Sequence, residues 1–270
     1  MEENSTGLRC PVCGETLVLE GRSVYCVNRH CFDVARSGYV NLMLPNQKNS
    51  DVPGDNKEMT DARVSVMKKG YYKALADFIC YYLRNENPEV VLDAGCGVGY
   101  ITQRVKEEFE DSEVIGTDIS KSAIEQASKK FKGPNYVVAS SIRLPVSDEF
   151  CAALICAFAP VYASEFCRVL KNGGLFLRVV PSKKHLWELK EYLYETPREN
   201  EEEELYIDGF EFLDKVTITD EFTGDAETVT DVIKMTPYYY HTPKEKLEKL
   251  SEIDEFAFHT EFDVLIYKKI

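Results

Sequence analysis

The fold is decided by the stretch Val90-Val-Leu-Asp-Ala-Gly-Cys-Gly-Val-Gly-Tyr100, in which a short apolar run meets a glycine-rich turn. The run Val90–Leu92 has the length of a buried strand, and Ile101, Val105 and Phe109 follow it at helical spacing. Glycines let the backbone close tightly where the strand ends, and the start of the helix offers free N–H groups to a ligand. The stretch therefore predicts a strand, a ligand-binding turn and a helix.

This turn differs from the fingerprint of dinucleotide-binding proteins. That fingerprint is G-x-G-x-x-G, whereas Tyr100 stands here where the third glycine would be. An acid, Asp93, also precedes the turn at the end of the strand. A carboxylate at this place suits a ligand with a cationic amino-acid end better than it suits a pyrophosphate.

The next apolar run supplies a second ligand-binding acid. Residues Val114–Thr117 predict a strand that ends at Asp118, 25 residues after Asp93. In nucleotide-binding α/β folds, an acid at this place accepts hydrogen bonds from the hydroxyls of a ribose. Ser120 is a suitable N-cap for the amphipathic helix that follows.

Three further strands complete the pattern of a parallel, doubly wound sheet. They are predicted at Tyr136–Ala139, Ala152–Cys156 and Leu175–Val180. Apolar strands that alternate with amphipathic helices indicate an α/β fold with a Rossmann-like sheet. The glycine turn, the ribose acid and a Gly-Gly turn before the last strand together resemble the class I S-adenosylmethionine-dependent methyltransferases. Another nucleotide-binding α/β domain, or a domain of this fold that has lost catalysis, remains an alternative at this point.

A metal-ligand pattern occupies the start of the chain. The knuckle Cys10-Pro-Val-Cys13 offers two thiols, and Cys26-Val-Asn-Arg-His30 follows after twelve residues with a third thiol and an imidazole. Three thiolates and one imidazole are a standard ligand set for structural zinc. Between the two pairs, Thr16–Leu19 and Ser23–Cys26 predict a hairpin. Cys31 is an alternative fourth ligand, and the other interpretation is a set of ordinary thiols.

The composition excludes several classes of protein. The chain has 270 residues, of which 44% are apolar and 29% charged, and these ordinary values exclude wholesale disorder. The longest nearly apolar run, Cys151–Val161, has 11 residues, whereas a membrane-spanning helix needs about 20. The opening Met-Glu-Glu lacks the basic and apolar regions of a secretory signal. We therefore expect a cytoplasmic protein without a membrane partner.

The net charge of −14 is concentrated in one segment. Between Glu188 and Asp231 there are 16 acidic and three basic residues, a local balance of −13, so the rest of the chain carries −1. Binding to RNA phosphates needs Lys and Arg, and a nearly neutral body can still present a basic face. We expect that face on the metal-binding segment and the residues after it, which contain Arg9, Arg22, Arg29, Arg36 and Lys48.

These patterns divide the chain into three parts. Residues 1–36 are predicted to form a zinc-binding module, residues 37–88 a linker and helices, and residues 89–270 a methyltransferase domain. Within the middle part, residues 45–70 are polar and interrupted by prolines, which predicts a linker. A helical stretch is predicted over residues 57–83.

With both modules considered, the whole chain resembles the bacterial 23S rRNA (guanine-N1)-methyltransferases, the family that includes the tylosin-resistance methylases. The resemblance extends from Cys10 nearly to the C-terminus. Besides the zinc pattern and the cofactor turn, it rests on short motifs, among them Gly38-Tyr-Val-Asn-Leu42, Pro53-Gly-Asp55, Ala62-Arg63, Gly70-Tyr-Tyr72, Val138-Ala-Ser-Ser141, Arg143-Leu-Pro145, Ala159-Pro160, His185-Leu186 and Met235-Thr-Pro237. Three features depart from the family pattern: Cys31, Val64–Met67 in place of Arg-x-Phe-Leu, and the acidic run Glu199–Glu204.

The resemblance implies an activity and a site. It implies methylation of the N1 position of a guanine in a large-subunit rRNA hairpin, a zinc-ribbon-like module that helps to grip this RNA, and a homodimer. It also implies that Tyr72 and His185 border the cofactor. The predicted cofactor-binding residues are then Tyr72, Asp93, Gly95, Gly97, Val98, Gly99, Asp118 and His185, and the predicted zinc ligands are Cys10, Cys13, Cys26 and His30.

The proton on N1 of guanine must be removed before or as the methyl group arrives. Candidate bases near the strand ends are Asp93, Tyr162, Glu165 and His185, and the catalytic residue stays unassigned. The target base must leave its stack to be methylated, and Phe158 or Tyr162 is a candidate to stack on it. Two hypotheses compete: a small-molecule methyltransferase with a purely structural zinc module, which the acidic balance favours, and a non-catalytic binding module.

Overall fold

The computed structural model describes residues 5–44, 56–236, 239 and 242–270. The strands are β1 Ser5–Arg9, β2 Thr16–Glu20, β3 Ser23–Tyr25, β4 Cys31–Asp33, β5 Val40–Asn41, β6 Val90–Ala94, β7 Glu113–Asp118, β8 Asn135–Val138, β9 Cys151–Ala157, β10 Leu170–Pro181, β11 Phe210–Gly224 and β12 Phe256–Lys269. The helices are α1 Lys57–Lys68, α2 Lys73–Leu83, α3 Tyr100–Glu108, α4 Lys121–Lys130, α5 Ala163–Val169, α6 Trp187–Leu193, α7 Ala226–Lys234 and α8 Lys244–Lys249. Within these ranges, every helix is too short or too polar to cross a membrane.

The larger sheet has eight strands in the order β11-β12-β10-β9-β6-β7-β8-β5. Neighbouring strands from β10 to β5 run parallel, whereas β12 is antiparallel to both β10 and β11. The five predicted parallel strands are confirmed. The strand order reverses between β6 and β9, and in open α/β sheets ligands bind at the carboxyl ends of the strands at such a point.

The predicted zinc-binding hairpin is confirmed and is part of a four-stranded sheet, β1-β2-β3-β4. This small sheet has no separate core. Its apolar side chains belong to the same buried cluster as those on one face of the large sheet: Leu8, Leu17 and Val24 lie in one cluster with Leu92, Leu154 and Phe176. The zinc module therefore covers part of the large sheet.

The predicted linker and helical stretch need correction. Residues 45–55 of the predicted linker lie outside the described residues, and residues 57–68 form α1, so the linker prediction is wrong for that part. Asn56 caps α1, because its side chain accepts a hydrogen bond from the Met59 amide at 3.0 Å. The helix stops before Gly70, whose φ of 89° lies in the left-handed region. The predicted single stretch is thus two helices, and the break places Tyr72 at the start of α2.

The acidic segment forms α6, an irregular stretch, the edge strand β11 and α7. In its irregular stretch, Glu202 pairs with Lys183 at 2.8 Å and Glu203 with Arg178 at 2.6 Å. The strand β5 from the middle part of the chain joins the large sheet beside β8. The boundaries drawn at residues 36 and 88 stay predictions.

Candidate active site and zinc centre

The four predicted zinc ligands lie together. Their ligand atoms are all within 4.8 Å of one another. The Cys10 and Cys26 sulfurs lie 3.5 and 3.3 Å from Nδ1 of His30, and the Cys13 and Cys26 sulfurs are 3.6 Å apart. In a tetrahedral site, bonds of about 2.3 Å to sulfur and about 2.0 Å to nitrogen place the ligand atoms roughly 3.5–3.8 Å apart. The donor set and its spacing fit zinc.

Cys31 lies outside this cluster. It belongs to β4, is exposed and is paired in register with Tyr25 of β3. His30 therefore supplies the fourth ligand atom of the cluster. The thiols of the knuckle have different surroundings: burial raises the pKa of Cys10, whereas the Asn28 side chain lowers the pKa of Cys13 to about 6.

A cavity of about 270 Å³ opens at the carboxyl edge of the large sheet. Its walls come from the glycine turn after β6, the ends of β7, β8 and β9, and one side of α1. Asp118 fixes the turn against the second strand, because its carboxylate accepts the Gly97 amide at 2.8 Å and the Ser120 amide at 2.7 Å. The two predicted acids, Asp93 and Asp118, both line this cavity.

Asp93 is a buried acid with one oxygen in use. Its side chain is 1% exposed, and its Oδ2 accepts a hydrogen bond from the Thr102 hydroxyl at 2.6 Å. Oδ1 is buried and has no hydrogen-bond partner among the described residues. Burial raises the pKa of Asp93 to about 7. An unpartnered carboxylate oxygen beside a cavity suits a cationic group, and the ammonium of S-adenosylmethionine is such a group.

The three glycines of the turn have different roles. All have positive φ, and a Cβ on Gly95 would lie 2.6 Å from that of Ala159. A Cβ on Gly99 would lie 2.7 Å from the Tyr136 hydroxyl, so Gly99 serves packing against β8. At Gly97 the nearest atom within 4 Å is Arg63 Cδ at 3.9 Å, so Gly97 leaves room between the turn and α1. Gly95 and Gly97 line the cavity, whereas Val98 is buried in the core.

Tyr72 and His185 occupy different positions relative to the cavity. Tyr72 lines it. His185 is 5% exposed and lies behind Phe262, with the two ring centroids 4.6 Å apart. Phe262 in turn lies 5.6 Å from the ring of Tyr72. His185 is thus one aromatic ring away from the cavity-lining residues, and burial lowers its pKa to about 3, so that its ring is neutral at pH 7.

Among the four candidate bases, Asp93 and Tyr162 line the cavity and the other two do not. Glu165 has a structural role instead. Its carboxylate accepts the Leu144 amide at 2.6 Å and pairs with Arg168 at 2.6 Å. Phe158, a predicted stacking residue, lines the cavity with its side chain 38% exposed. Its φ of 57° is unusual for a non-glycine residue, and such strain is often found at functional sites.

Several lining residues were not predicted as site residues. Arg63 and Met67 reach the cavity from α1, and Ser140 and Ser141 reach it from the end of β8. The spacing of four between Arg63 and Met67 places them on one helix face, but the sequence does not show that this face meets the glycine turn. The motifs Ala62-Arg63 and Val138-Ala-Ser-Ser141 were the available signals.

The fold, the glycine turn, the two acids and the Cys3His cluster define a class I S-adenosylmethionine-dependent methyltransferase with an N-terminal zinc ribbon. Comparisons with known proteins support this. Residues 8–51 match the protein family described as "RlmA, N-terminal", and residues 91–174 match "Methyltransferase domain".

Relatives of similar length identify the family. YxjB of Bacillus subtilis, provisionally named a 23S rRNA (guanine-N1)-methyltransferase, is 30% identical over 97% of this chain and 96% of its own. The 23S rRNA (guanine(748)-N1)-methyltransferase of Streptomyces fradiae is 32% identical over 91% of this chain and 90% of its own. A Micromonospora griseorubida protein, also provisionally named for this activity, is 33% identical over 69% of each chain. The chain belongs to the family of 23S rRNA (guanine-N1)-methyltransferases.

Proposed function

We propose that this protein transfers the methyl group of S-adenosylmethionine to N1 of a guanine in 23S rRNA. The observation that carries the proposal is the presence, in one chain, of the Asp93–Asp118 cavity and the Cys3His cluster, within a family of 23S rRNA methyltransferases. S-adenosylmethionine supplies an activated sulfonium methyl. The protein has to orient the acceptor in line with it and exclude water.

The cofactor would be held by residues of the turn and of the two strand ends. Asp93 Oδ1 would bind the ammonium of the amino-acid end, because it is buried and has no partner among the described residues. Asp118 would accept the ribose hydroxyls through lone pairs beyond those that the Gly97 and Ser120 amides use. Tyr72 would cover the cofactor from the start of α2.

The acceptor side of the cavity is formed by the residues after β9. This strand end reads Ala157-Phe-Ala-Pro160, and it lacks the N/D-P-P-Y/F signature of amide or exocyclic-amine methylation. A ring nitrogen fits it better. Phe158 would stack on the displaced guanine, and Tyr162 is the candidate for contact with the N1 proton, since Glu165 and His185 do not line the cavity and Asp93 serves the cofactor.

The substrate would be an rRNA hairpin gripped in part by the zinc module, and this would place the enzyme in the cytoplasm. Arg22, Arg29 and Arg36 of this region are exposed. A homodimer stays a prediction from the family resemblance, and sedimentation of the purified protein would test it.

The proposal is tested by incubating the protein with labelled S-adenosylmethionine and unmodified 23S rRNA, then mapping the methyl group. A methyl group on N1 blocks Watson–Crick pairing, so reverse transcription should stop beside one guanine. A matched hairpin with adenine in place of that guanine is the control and should remain unlabelled. Labelling of small-molecule acceptors with no labelled rRNA would favour the competing hypothesis.

A further inference from the structure

Backbone contacts join the zinc module to the loop that follows the cavity-lining Ser140 and Ser141. The Arg9 amide donates to the Pro145 carbonyl at 2.9 Å, and the Ser147 amide donates to the Gly7 carbonyl at 3.2 Å. Leu8 and Val146, which lie between these two hydrogen bonds, form an isolated antiparallel β-bridge. β1 of the zinc module thus lies directly against residues 145–147.

A chain of charged side chains runs parallel to this bridge. Arg9 Nε donates to the Gly14 carbonyl, next to the ligand Cys13, at 2.6 Å. Its Nη1 reaches Asp148 Oδ1 at 2.6 Å, and Arg168 Nη1 reaches the same oxygen at 2.6 Å. Asp148 therefore connects the metal-binding knuckle to Arg168 of α5.

Arg168 then holds the loop that leads back to the cavity. It donates to the carbonyls of Leu144 at 2.9 Å and Val146 at 2.8 Å. Its partner Glu165 accepts the Leu144 amide at 2.6 Å. Residues 144–146 follow Ser140 and Ser141, which line the cavity beside Asp118. The contacts therefore lead from the zinc knuckle to Leu144, which lies three residues along the chain from the cavity-lining Ser141.

We infer that Asp148 is a positioning residue that couples occupancy of the zinc site to the affinity of the cofactor cavity. The inference rests on the proposed use of S-adenosylmethionine and not on the identity of the methyl acceptor. Zinc fixes the knuckle, and Arg9, Asp148 and Arg168 transmit that constraint to the loop that carries Ser140 and Ser141. The zinc module then organises the cofactor pocket in addition to contacting RNA.

An isolated exposed ion pair would not support this role. Exposed ion pairs contribute little to the free energy of folding, and the side chain of Asp148 is 58% exposed. Here one carboxylate oxygen serves two guanidinium groups, and each guanidinium also holds a backbone carbonyl. The hydrogen bond from the Arg168 side chain lowers the pKa of Asp148, and the positive charges of Arg168 and Arg9 lower it further. Because this network holds backbone carbonyls at both ends, we expect it to restrain the loop, which a single surface ion pair would not do.

The test measures S-adenosylmethionine affinity by calorimetry in the full-length protein, with and without chelation of zinc. In the unaltered protein, zinc removal should weaken binding roughly fivefold, the low end of typical coupling between two sites. Asp148→Ala should keep its zinc and weaken cofactor binding by a similar factor. Zinc removal from Asp148→Ala should then have a smaller further effect, because the side-chain connection is already broken and only the backbone contacts of β1 with residues 145–147 remain.

The matched control is Glu125→Ala, which breaks the exposed Glu125–Lys129 pair, 2.5 Å long and made within the helix α4. It should leave cofactor affinity and its response to zinc unchanged. The inference is overturned if Asp148→Ala binds the cofactor normally, or if zinc removal weakens binding as much in Asp148→Ala as in the unaltered protein. Failure to methylate 23S rRNA would count against the proposed function and leave these binding measurements intact.

Discussion

At the scale of single residues, Asp93 links the cofactor site to pH. Burial raises its pKa to about 7, so the folded protein retains a proton that the unfolded chain releases near pH 4. Protonation of Asp93 therefore contributes stability that is fully present below about pH 4 and is lost as the pH rises through about 7. A cationic ligand favours the ionised carboxylate, so the affinity for S-adenosylmethionine should increase as the pH rises.

We expect S-adenosylmethionine to bind more weakly as the pH falls from about 7 to about 5, with a limiting slope of roughly tenfold per pH unit, the value for one linked proton. Asp93→Asn should bind more weakly at pH 7 and show a nearly flat profile. Calorimetry in buffers with different ionisation enthalpies would show proton release on binding. An equally steep profile in Asp93→Asn would assign the linked proton to another group.

The second prediction concerns the ribose acid. Asp118→Ala should weaken S-adenosylmethionine binding by about 1.5–3 kcal/mol, the usual range for hydrogen bonds to a charged group. Part of that loss comes from the Gly97 and Ser120 amides, which lose their acceptor. Asp111→Ala, at an exposed acid in the turn after α3, is the matched control and should bind normally. Equal affinities in the two variants would remove Asp118 from the site.

At the scale of elements, local sequence pattern predicted five of the six parallel strands and missed the short β5 and the antiparallel pair. Every residue of β6 is buried, and such apolar runs are visible in the sequence. β11 is an edge strand whose side chains are mostly exposed. Four of its 15 residues are acidic, and it pairs with β12 more than 30 residues later. Its charged residues indicated a solvated surface, so no strand was predicted there. The same missed strand explains why the prediction that His185 borders the cofactor was inexact. Phe262 of β12 lies between His185 and the cavity-lining residues.

The third prediction concerns the zinc module as an element. Cys13→Ser should lose zinc, and β2 and β3 should open before the large sheet, because the small sheet depends on metal for much of its stability. Leu8, Leu17 and Val24 share a cluster with the large sheet, so some loss of stability should extend to the large domain. Zinc content and amide hydrogen exchange would measure both effects.

Cys31→Ser is the matched control for this prediction, since Cys31 is exposed and lies outside the ligand cluster. It should retain one zinc per chain and exchange at normal rates. Zinc loss in Cys31→Ser together with retention in a His30→Ala variant would reverse the assignment of the fourth ligand.

At the scale of the whole molecule, charge separates two surfaces. The acidic segment forms the sheet edge at β11 and the stretch before it, where Glu202 and Glu203 are already paired with basic residues. Arg22 and Arg29 lie exposed on the zinc module. Arg9 is withdrawn from the predicted RNA-binding set, because its guanidinium is held by Gly14 and Asp148. Lys48 of that set lies outside the described residues.

The fourth prediction follows from this separation. An Arg22→Gln/Arg29→Gln variant should bind the rRNA hairpin more weakly and with a flatter salt dependence, by roughly one unit of slope per lost phosphate contact. A Glu201→Gln/Glu204→Gln variant is the matched control. It leaves the Glu202 and Glu203 pairs intact and should bind as well as the unaltered protein, or somewhat more tightly and without sequence preference. Neither the two arginines nor the two glutamates line the cofactor cavity, so S-adenosylmethionine affinity should be unchanged in both variants. A normal slope in the arginine variant combined with lost binding in the glutamate variant would place the RNA on the acidic side of the molecule. That result would also separate RNA binding from the zinc module, whose remaining role would be the support of the large sheet and of the loop at the cofactor cavity.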